Sequence, residues 1–443
     1  MTTAVDLIVY GAGQLVTLAG NGPRRGAASG ELGLIVDGAV AVSAGQIVAV
    51  GASSEVRNSY RAPREIDAAG RVVLPGFIDA HTHPVFAGSR QDEFERRIAG
   101  ATYLEIMAAG GGIMSTVRAT RTASLEQLVG DARPRLRRML AHGTTTAEAK
   151  TGYGLTTVDE LKCLQAIRIL SDSQPIELLP TFLGAHAVPE EYAGRADAYV
   201  DLVIEEMLPA AAGEHGRSTE GHGSAALPLA CDVFCDEGAF NLQQTRRILR
   251  QAQDLGMTLK LHADEFACLG AAGLAAEMGA LSADHLLRTP PEDMAAMARA
   301  GVVGVLLPGT PFGLGQRDYA DARHMVAADL PLALGTDLNP GTCYCESMPF
   351  MMALACRFMR LSPAEAIVAS TTNAASAIGR GHDLGRLQRG YAADLLILDS
   401  EDYRHLAYRF GSSLVHTVIK RGEIVLSSSV EQPAPNTIQE GRP

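Results

Sequence analysis

The sequence predicts an α/β fold: a closed, TIM-like (β/α)8 barrel in the middle of the chain and a small β-sandwich built from both termini. Three observations predict it. Between residues 71 and 375, eight apolar strand-like runs alternate with helical stretches. Short β-branched runs separated by glycines occupy both ends of the chain. The central runs finish in histidines and carboxylates, as strands do in a barrel that carries its chemistry on one rim.

In chain order, residues 1–70 hold the β-branched runs Asp6–Tyr10, Leu15–Leu18, Gly33–Asp37, Ala39–Ser43 and Gln46–Val50. Residues 376–443 repeat that texture at Gly390–Asp399, Leu414–Lys420 and Glu423–Leu426, with Arg421-Gly422 as a tight turn. Neither piece has enough strands to cover both of its own faces, so the two are expected to pair into one sandwich. Across 71–375 the barrel strands are expected at Val73–His81, Thr144–Lys150, Glu177–Gly184, Cys231–Asp236, Thr258–His262, Ala280–His285, Val302–Leu307 and Leu332–Asp337. Pro75-Gly76 marks a short turn into the first of them. Helical patterns lie between, as at Asp159–Leu170 and Gln243–Ala252. Residues 209–228, rich in Gly, Ala and Ser, read as an inserted surface loop with His215 and His222 solvated. Met348–Cys356 reads as a buried helix or an interface.

Composition narrows the function. A chain of 443 residues, 47% hydrophobic, can bury a large core, and a net charge of -12 argues against a nucleic-acid partner. Met1–Asp6 lacks a basic leader and no apolar stretch is long enough to span a bilayer, so a cytoplasmic protein without membrane association is expected. Seven cysteines, an odd number, fit a reduced compartment. Cys231/Cys235 and Cys343/Cys345 lack zinc-ribbon spacing and read as packing.

The chemistry is concentrated at His81-Thr82-His83. Residues two apart on a strand point the same way, so two imidazoles share one face and can hold one metal. A lone His-x-His pair is more often packing than ligand. The other strand ends reverse that balance: Tyr153 past the second, His186 past the third, His262 and Glu265 at the fifth, His285 at the sixth, Asp337 and Asn339 at the eighth. A structural protein has no reason to load one rim in this way. His81, His83, His262 and Asp337 offer three nitrogens and one oxygen, leaving room for a water, the open coordination of a hydrolytic metal site. His3Asp ligation suits zinc or iron. Gly110-Gly111-Gly112 is followed by no Gly-Lys-Ser/Thr, so it reads as a substrate-facing loop and not a phosphate cradle.

These residues also carry a resemblance. Pro-Gly-x-Ile-Asp-x-His-x-His from Pro75 to His83, a distant His, Ala283-Asp284-His285 and Gly335-Thr336-Asp337 are similar to the amidohydrolase superfamily. The finer blocks resemble the imidazolonepropionase family: His81 to Arg90, Gly110 to Ile113 with Ser115 to Arg118, Lys150-Thr-Gly-Tyr-Gly154, Gly184 to His186, His262-Ala-Asp-Glu265 and Thr336 to Thr342. The resemblance implies hydrolysis of the cyclic amide of 4-imidazolone-5-propanoate to N-formimidoyl-L-glutamate in histidine degradation, by a homodimer. It implies one divalent or trivalent metal ion per chain, because the fourth strand lacks the bridging lysine of binuclear relatives and Lys150 ends the second strand instead. It implies a small-molecule substrate with a carboxylate tail, met by Arg90, Tyr153 and His186, with Tyr103 a weaker candidate. Glu265, Asn339, Gly341 and Thr342 would meet the ring. Asp337 would take a proton from water, His285 orient the nucleophile or hold the oxyanion, and Glu265 pass a proton to the leaving nitrogen. Rival readings are a nucleobase or cyclic-amidine deaminase on the same barrel, a scaffold that has lost its chemistry, and a binding module for an acidic ligand.

Overall fold

The computed structural model describes residues 2–101, 105, 110–219 and 228–427. Its centre is an eight-stranded, all-parallel sheet in sequential order. The strands are β1 (Phe77–Asp79), β2 (Thr144–Lys150), β3 (Glu177–Ala185), β4 (Ala230–Cys235), β5 (Thr258–Ala263), β6 (Ser282–His285), β7 (Val303–Leu306) and β8 (Leu332–Leu334). The ring closes where Thr82 bridges Leu338 in parallel; Asp337 N donates to His81 O at 2.9 Å and His83 N to Leu338 O at 2.9 Å. Asp79 adds to the closure by accepting from Thr336 N (2.9 Å) and Thr336 Oγ1 (2.6 Å).

Helices cover the barrel and begin where their caps say they should. Ser124 caps Leu125–Ala141, Thr156 caps Thr157–Asp172, and Asn241 with Gln244 makes a reciprocal capping box on Leu242–Asp254. Pro363 opens Pro363–Ala369 at a position where its missing N–H costs nothing. Met348–Phe358 is a helix with Met348, Met351, Met352 and Leu354 buried, so the apolar run fills the core. Cys231, Cys235 and Cys343 lie in that same core.

Besides a two-stranded pairing of Thr3–Ala4 with Tyr60–Arg61, the termini form two larger sheets. A four-stranded sheet joins Leu7–Ala12, Gly38–Ser43, Gln46–Ala52 and Arg64–Asp67, and a six-stranded sheet joins Gln14–Val16, Leu34–Ile35, Val72–Pro75, Leu395–Leu398, Val415–Lys420 and Glu423–Ser427. Leu7, Val9, Val40, Val42 and Ile47 from the first pack with Leu15, Val73, Leu395, Ile397 and Ile419 from the second into one apolar cluster.

Two expectations are corrected. Val73–His81 is not one strand: Val72–Pro75 pairs with Leu395–Leu398 in the terminal sheet, and the barrel strand starts at Phe77. The cause is Pro75-Gly76. Gly76 runs so close to β2 that a Cβ there would lie 2.3 Å from Thr145 Oγ1, and the chain changes sheets at that point. The stretch from 209 is not an inserted loop up to 219. Leu208–Thr219 is helical, continuing Ala196–Leu202 through one π-helical turn at Val203–Met207, because its alanines propagate a helix whose Leu208 and Ala211 are buried. His215 is half-buried on it, while His222 and residues 220–227 lie outside the described residues. Among the described residues, no helix is long and apolar enough to cross a membrane.

Candidate active site

Five buried imidazoles gather at the rim reached by the strand C-terminal ends: His81, His83, His186, His262 and His285. His81 and His83 follow β1. Thr82 between them turns its hydroxyl outward to Glu148 O (2.5 Å), so the two imidazoles share the inner face, with Nε2 atoms 3.2 Å apart. Asp337 Oδ1 stands 3.5 Å from His81 Nε2 and 3.6 Å from His83 Nε2. Donor atoms held ~2.0–2.2 Å from one tetrahedral ion are themselves about 3.3–3.5 Å apart, so these three stand at the spacing of ligands that share an ion. His262, ending β5, brings a donor within 4.8 Å of those of His81 and His285 and, in a second group, of His83 and His186.

The charge states suit a cation. Burial pulls the pKa of His81 well below the ordinary histidine value, with Lys150 adding to the shift; burial and then His186 do the same to His83. Both are neutral imidazoles near pH 7. His81 Nδ1 lies 2.6 Å from Asp284 Oδ2, which fixes the proton on Nδ1 and leaves Nε2 a bare lone pair. His83 Nδ1 is buried with no partner among the described residues. Burial also raises Asp337 to about pKa 6, against the hydrogen bond from Thr310 Oγ1 to its Oδ2 (2.5 Å). Three imidazoles and a buried carboxylate are the donor set of a zinc or iron site, and these residues fit one.

Around this centre stand the groups expected to meet a substrate. His285 ends β6 at φ +77°, with neither ring nitrogen hydrogen-bonded among the described residues, and its Nε2 is 3.6 Å from Glu265 Oε2. Burial, then the charges of Asp337 and Asp236, push Glu265 well above the ordinary carboxyl value, which favours the neutral acid. His186 stacks on His83 at 5.0 Å and is 5.4 Å from the Tyr153 ring; its Nδ1 is 3.0 Å from Gly152 O. Burial lowers His186 to a pKa of about 3. Arg90 precedes the helix Gln91–Ile98 and is held by Glu93, at 2.9 Å through Nε and 2.8 Å through Nη2. Its guanidinium lies against Gly341, where a Cβ would come within 2.1 Å of Nη1. Asn339 turns its amide into its own loop, donating to Asp337 O (2.7 Å) and Thr342 Oγ1 (2.9 Å) and accepting from Gly341 N and Thr342 N (2.8 Å each). Tyr103 lies outside the described residues.

Sequence reasoning missed the residues that hold these groups. Asp236, just past β4, accepts from the backbone of Glu265 (2.7 Å), Phe266 (3.0 Å) and Ala267 (3.0 Å) and so fixes the turn carrying Glu265. Glu160, in a helix, accepts from Gly152, Gly154 and Leu155 and fixes the turn carrying Tyr153. Asp236 ends a strand and was open to the same rim argument as Asp337. Glu160 reads in sequence as an ordinary first-turn acid.

The profile of the Amidohydrolase family matches residues 72–425. The chain is 53% identical to an imidazolonepropionase of Chloroflexus aggregans over 96% of its own length and 99% of that protein's. It is 51% identical to an imidazolonepropionase of Herpetosiphon aurantiacus, covering 95% and 97%. Among solved structures it resembles an adenosine deaminase from Xanthomonas campestris with bound zinc, at a TM-score of 0.72 and 20% identity over 96% of this chain and 94% of that one. At that identity the likeness concerns the fold alone.

Proposed function

This chain belongs to the amidohydrolase family, among the imidazolonepropionases, and on that premise we propose that it hydrolyses the cyclic amide of 4-imidazolone-5-propanoate to N-formimidoyl-L-glutamate at one metal ion held by His81, His83, His262 and Asp337. The observation that carries the chemistry is the convergence of His81 Nε2, His83 Nε2 and Asp337 Oδ1 within 3.2–3.6 Å of one another in a buried rim. The substrate rests on the relatives, through an identity of 53% along nearly the whole chain. The seven free cysteines suit a reduced, cytoplasmic setting.

When bound, a zinc or iron ion supplies a Lewis acid that acidifies water and polarises the ring carbonyl. The chain's own residues do the rest. Asp337 accepts the proton of the attacking water, its carboxylate held in orientation by Thr310 Oγ1. His285, a neutral imidazole with no hydrogen-bond partner among the described residues, turns one ring N–H toward the oxygen on which charge develops. Glu265, kept as the neutral acid by burial, gives its proton to the ring nitrogen that leaves. Arg90 meets the propanoate with a charge-assisted bond and Tyr153 adds a neutral donor, while His186, whose Nδ1–H is given to Gly152 O (3.0 Å), lines the pocket with Nε2 as an acceptor. Gly341, in the turn that Asn339 shapes by accepting from Gly341 N and Thr342 N, lies beside the Arg90 guanidinium.

The test is an assay on metal-stripped and zinc-reconstituted protein. Loss of imidazolone absorbance is expected only after reconstitution, at one equivalent of zinc per chain. Two equivalents would contradict the single-ion site. Ammonia release from guanine or cytosine without loss of imidazolone would select the deaminase reading.

A further inference from the structure

Beneath the imidazoles lies a buried set of charges that the mechanism above does not use: Glu148, Lys150, Asp232, Lys260 and Asp284. Lys150 Nζ is 2.6 Å from Asp232 Oδ2, 3.0 Å from Glu148 Oε1 and 3.4 Å from Asp284 Oδ2. Those aspartate oxygens have second partners. Asp284 Oδ2 is hydrogen-bonded to His81 Nδ1 at 2.6 Å, and Asp232 Oδ2 lies 2.9 Å from His262 Nδ1, an ion-pair contact without hydrogen-bond alignment. The remaining oxygens are tied elsewhere, Asp232 Oδ1 to His262 N (3.0 Å) and Asp284 Oδ1 to Ser282 Oγ (2.7 Å). One ammonium therefore touches both carboxylate oxygens that face imidazoles of the metal site.

We infer that Lys150 is a positioning residue for two of the proposed metal-holding imidazoles: it pins Asp232 Oδ2 and Asp284 Oδ2 against Nδ1 of His262 and His81, so that both rings present a bare Nε2 to the site. The argument rests on reading His81, His83, His262 and Asp337 as the metal-holding set. A carboxylate that accepts from Nδ1–H fixes both the tautomer and the tilt of the ring. Buried as Asp232 and Asp284 are, such a carboxylate needs a counter-charge to hold it in place. Lys150 serves two such carboxylates at once, and the second ammonium, Lys260, is occupied by Glu148 Oε2 (2.8 Å) and the carbonyls of Ala80 and Ala377 (3.3 Å each). The set carries three carboxylates and two ammoniums, so removing Lys150 alone leaves two negative charges uncompensated in the interior.

The experiment measures zinc affinity by competition with a chromophoric chelator, and imidazole tautomers by 15N-histidine NMR of the zinc-loaded protein. Wild type taking up no zinc would sink the metal reading itself, a separate outcome from failure of this inference. Lys150→Met keeps the aliphatic stem; Lys150→Met with Glu148→Gln also keeps the net charge of the buried set and serves if the single variant does not fold. Positioning by Lys150 predicts a loss of roughly 10–100-fold in zinc affinity in both, with the Nδ1–H signals of two ligand rings shifted or broadened. A double variant that binds zinc as tightly as wild type, with unchanged tautomers and only a lower Tm, overturns it: Lys150 would then balance charge and nothing more.

Discussion

Arg90 and Gly341 meet so closely that each constrains the other, and this sets the sharpest test at the level of single residues. If Arg90 anchors the propanoate, Arg90→Ala should raise KM for the imidazolone propanoate by roughly 10–100-fold, the value of a charge-assisted hydrogen bond of about 1.5–3 kcal/mol. A ring lacking the tail should be turned over no worse than by wild type. Gly341→Ala keeps the charge but pushes a methyl into the guanidinium, so it should reproduce part of the same KM effect with kcat little changed. An unchanged KM in both would remove Arg90 from the tail. Glu265 differs in kind, because its expected role is proton transfer. Glu265→Gln should lower kcat by about 10²–10⁴-fold, and near-normal kcat would exclude it as the acid. Residue identity was legible here because strand ends on a barrel rim expose their chemistry in order along the chain. Tautomer was not: that His81 carries its proton on Nδ1 depends on Asp284, some two hundred residues away.

Among the elements, the turns after β4, β5 and β8 do the aiming. Asp236 ties the backbone of residues 265–267 to the end of β4, so Asp236→Ala should free that turn, cost about 1–3 kcal/mol for the unpaired N–H groups, and lower kcat through Glu265 while leaving zinc stoichiometry at one. A kcat equal to wild type in a folded Asp236→Ala protein would show that Glu265 needs no such support. His285 and Asp337 both sit at positive φ, +77° and +52°, where a side chain is strained and the neighbouring turn must impose the conformation. Strand periodicity located seven of the eight barrel strands well but ran the first together with its neighbour. Val72–Pro75 and Phe77–Asp79 are equally apolar and buried on both faces, so no alternation separates them, and only the contact of Gly76 with Thr145 shows where one sheet yields to the other. The helix Leu208–Thr219 was hidden by its composition, since Gly and Ser suggested a loop while the preceding helix and its buried Leu208 enforced continuation.

For the whole molecule, the barrel and the terminal sheets are joined by a partly buried ionic knot at the start of β3. Glu177 meets Lys420 (3.1 Å), Arg421 (3.2 Å) and Arg380 (2.5 Å), and Lys420 also meets Asp394 (2.7 Å). Burial alone would raise the Glu177 pKa, but Lys420, Arg380 and Arg421 outweigh it and hold the carboxyl at about 2. A folded-state value below the unfolded one means stability that is present above pH ~4.5 and lost as pH falls toward ~2. Wild type should therefore exceed Glu177→Gln by on the order of 2 kcal/mol at pH 6, allowing for solvent screening. The gap should close between about pH 4.5 and 2 in urea unfolding. A gap independent of pH over that window would assign the difference to packing.

From sequence alone came the barrel, the pairing of the two ends and the gathering of His81, His83, His262, His285, Glu265 and Asp337 at one rim, because periodicity and strand-end chemistry are local properties of a chain. Which oxygen faces which imidazole, which ammonium neutralises it and where the chain passes between sheets were decided by tertiary structure. Those contacts join β2, β4, β5 and β6 to the turn after β1, and a buried charge takes its partner from whatever the fold packs against it, at any distance along the sequence.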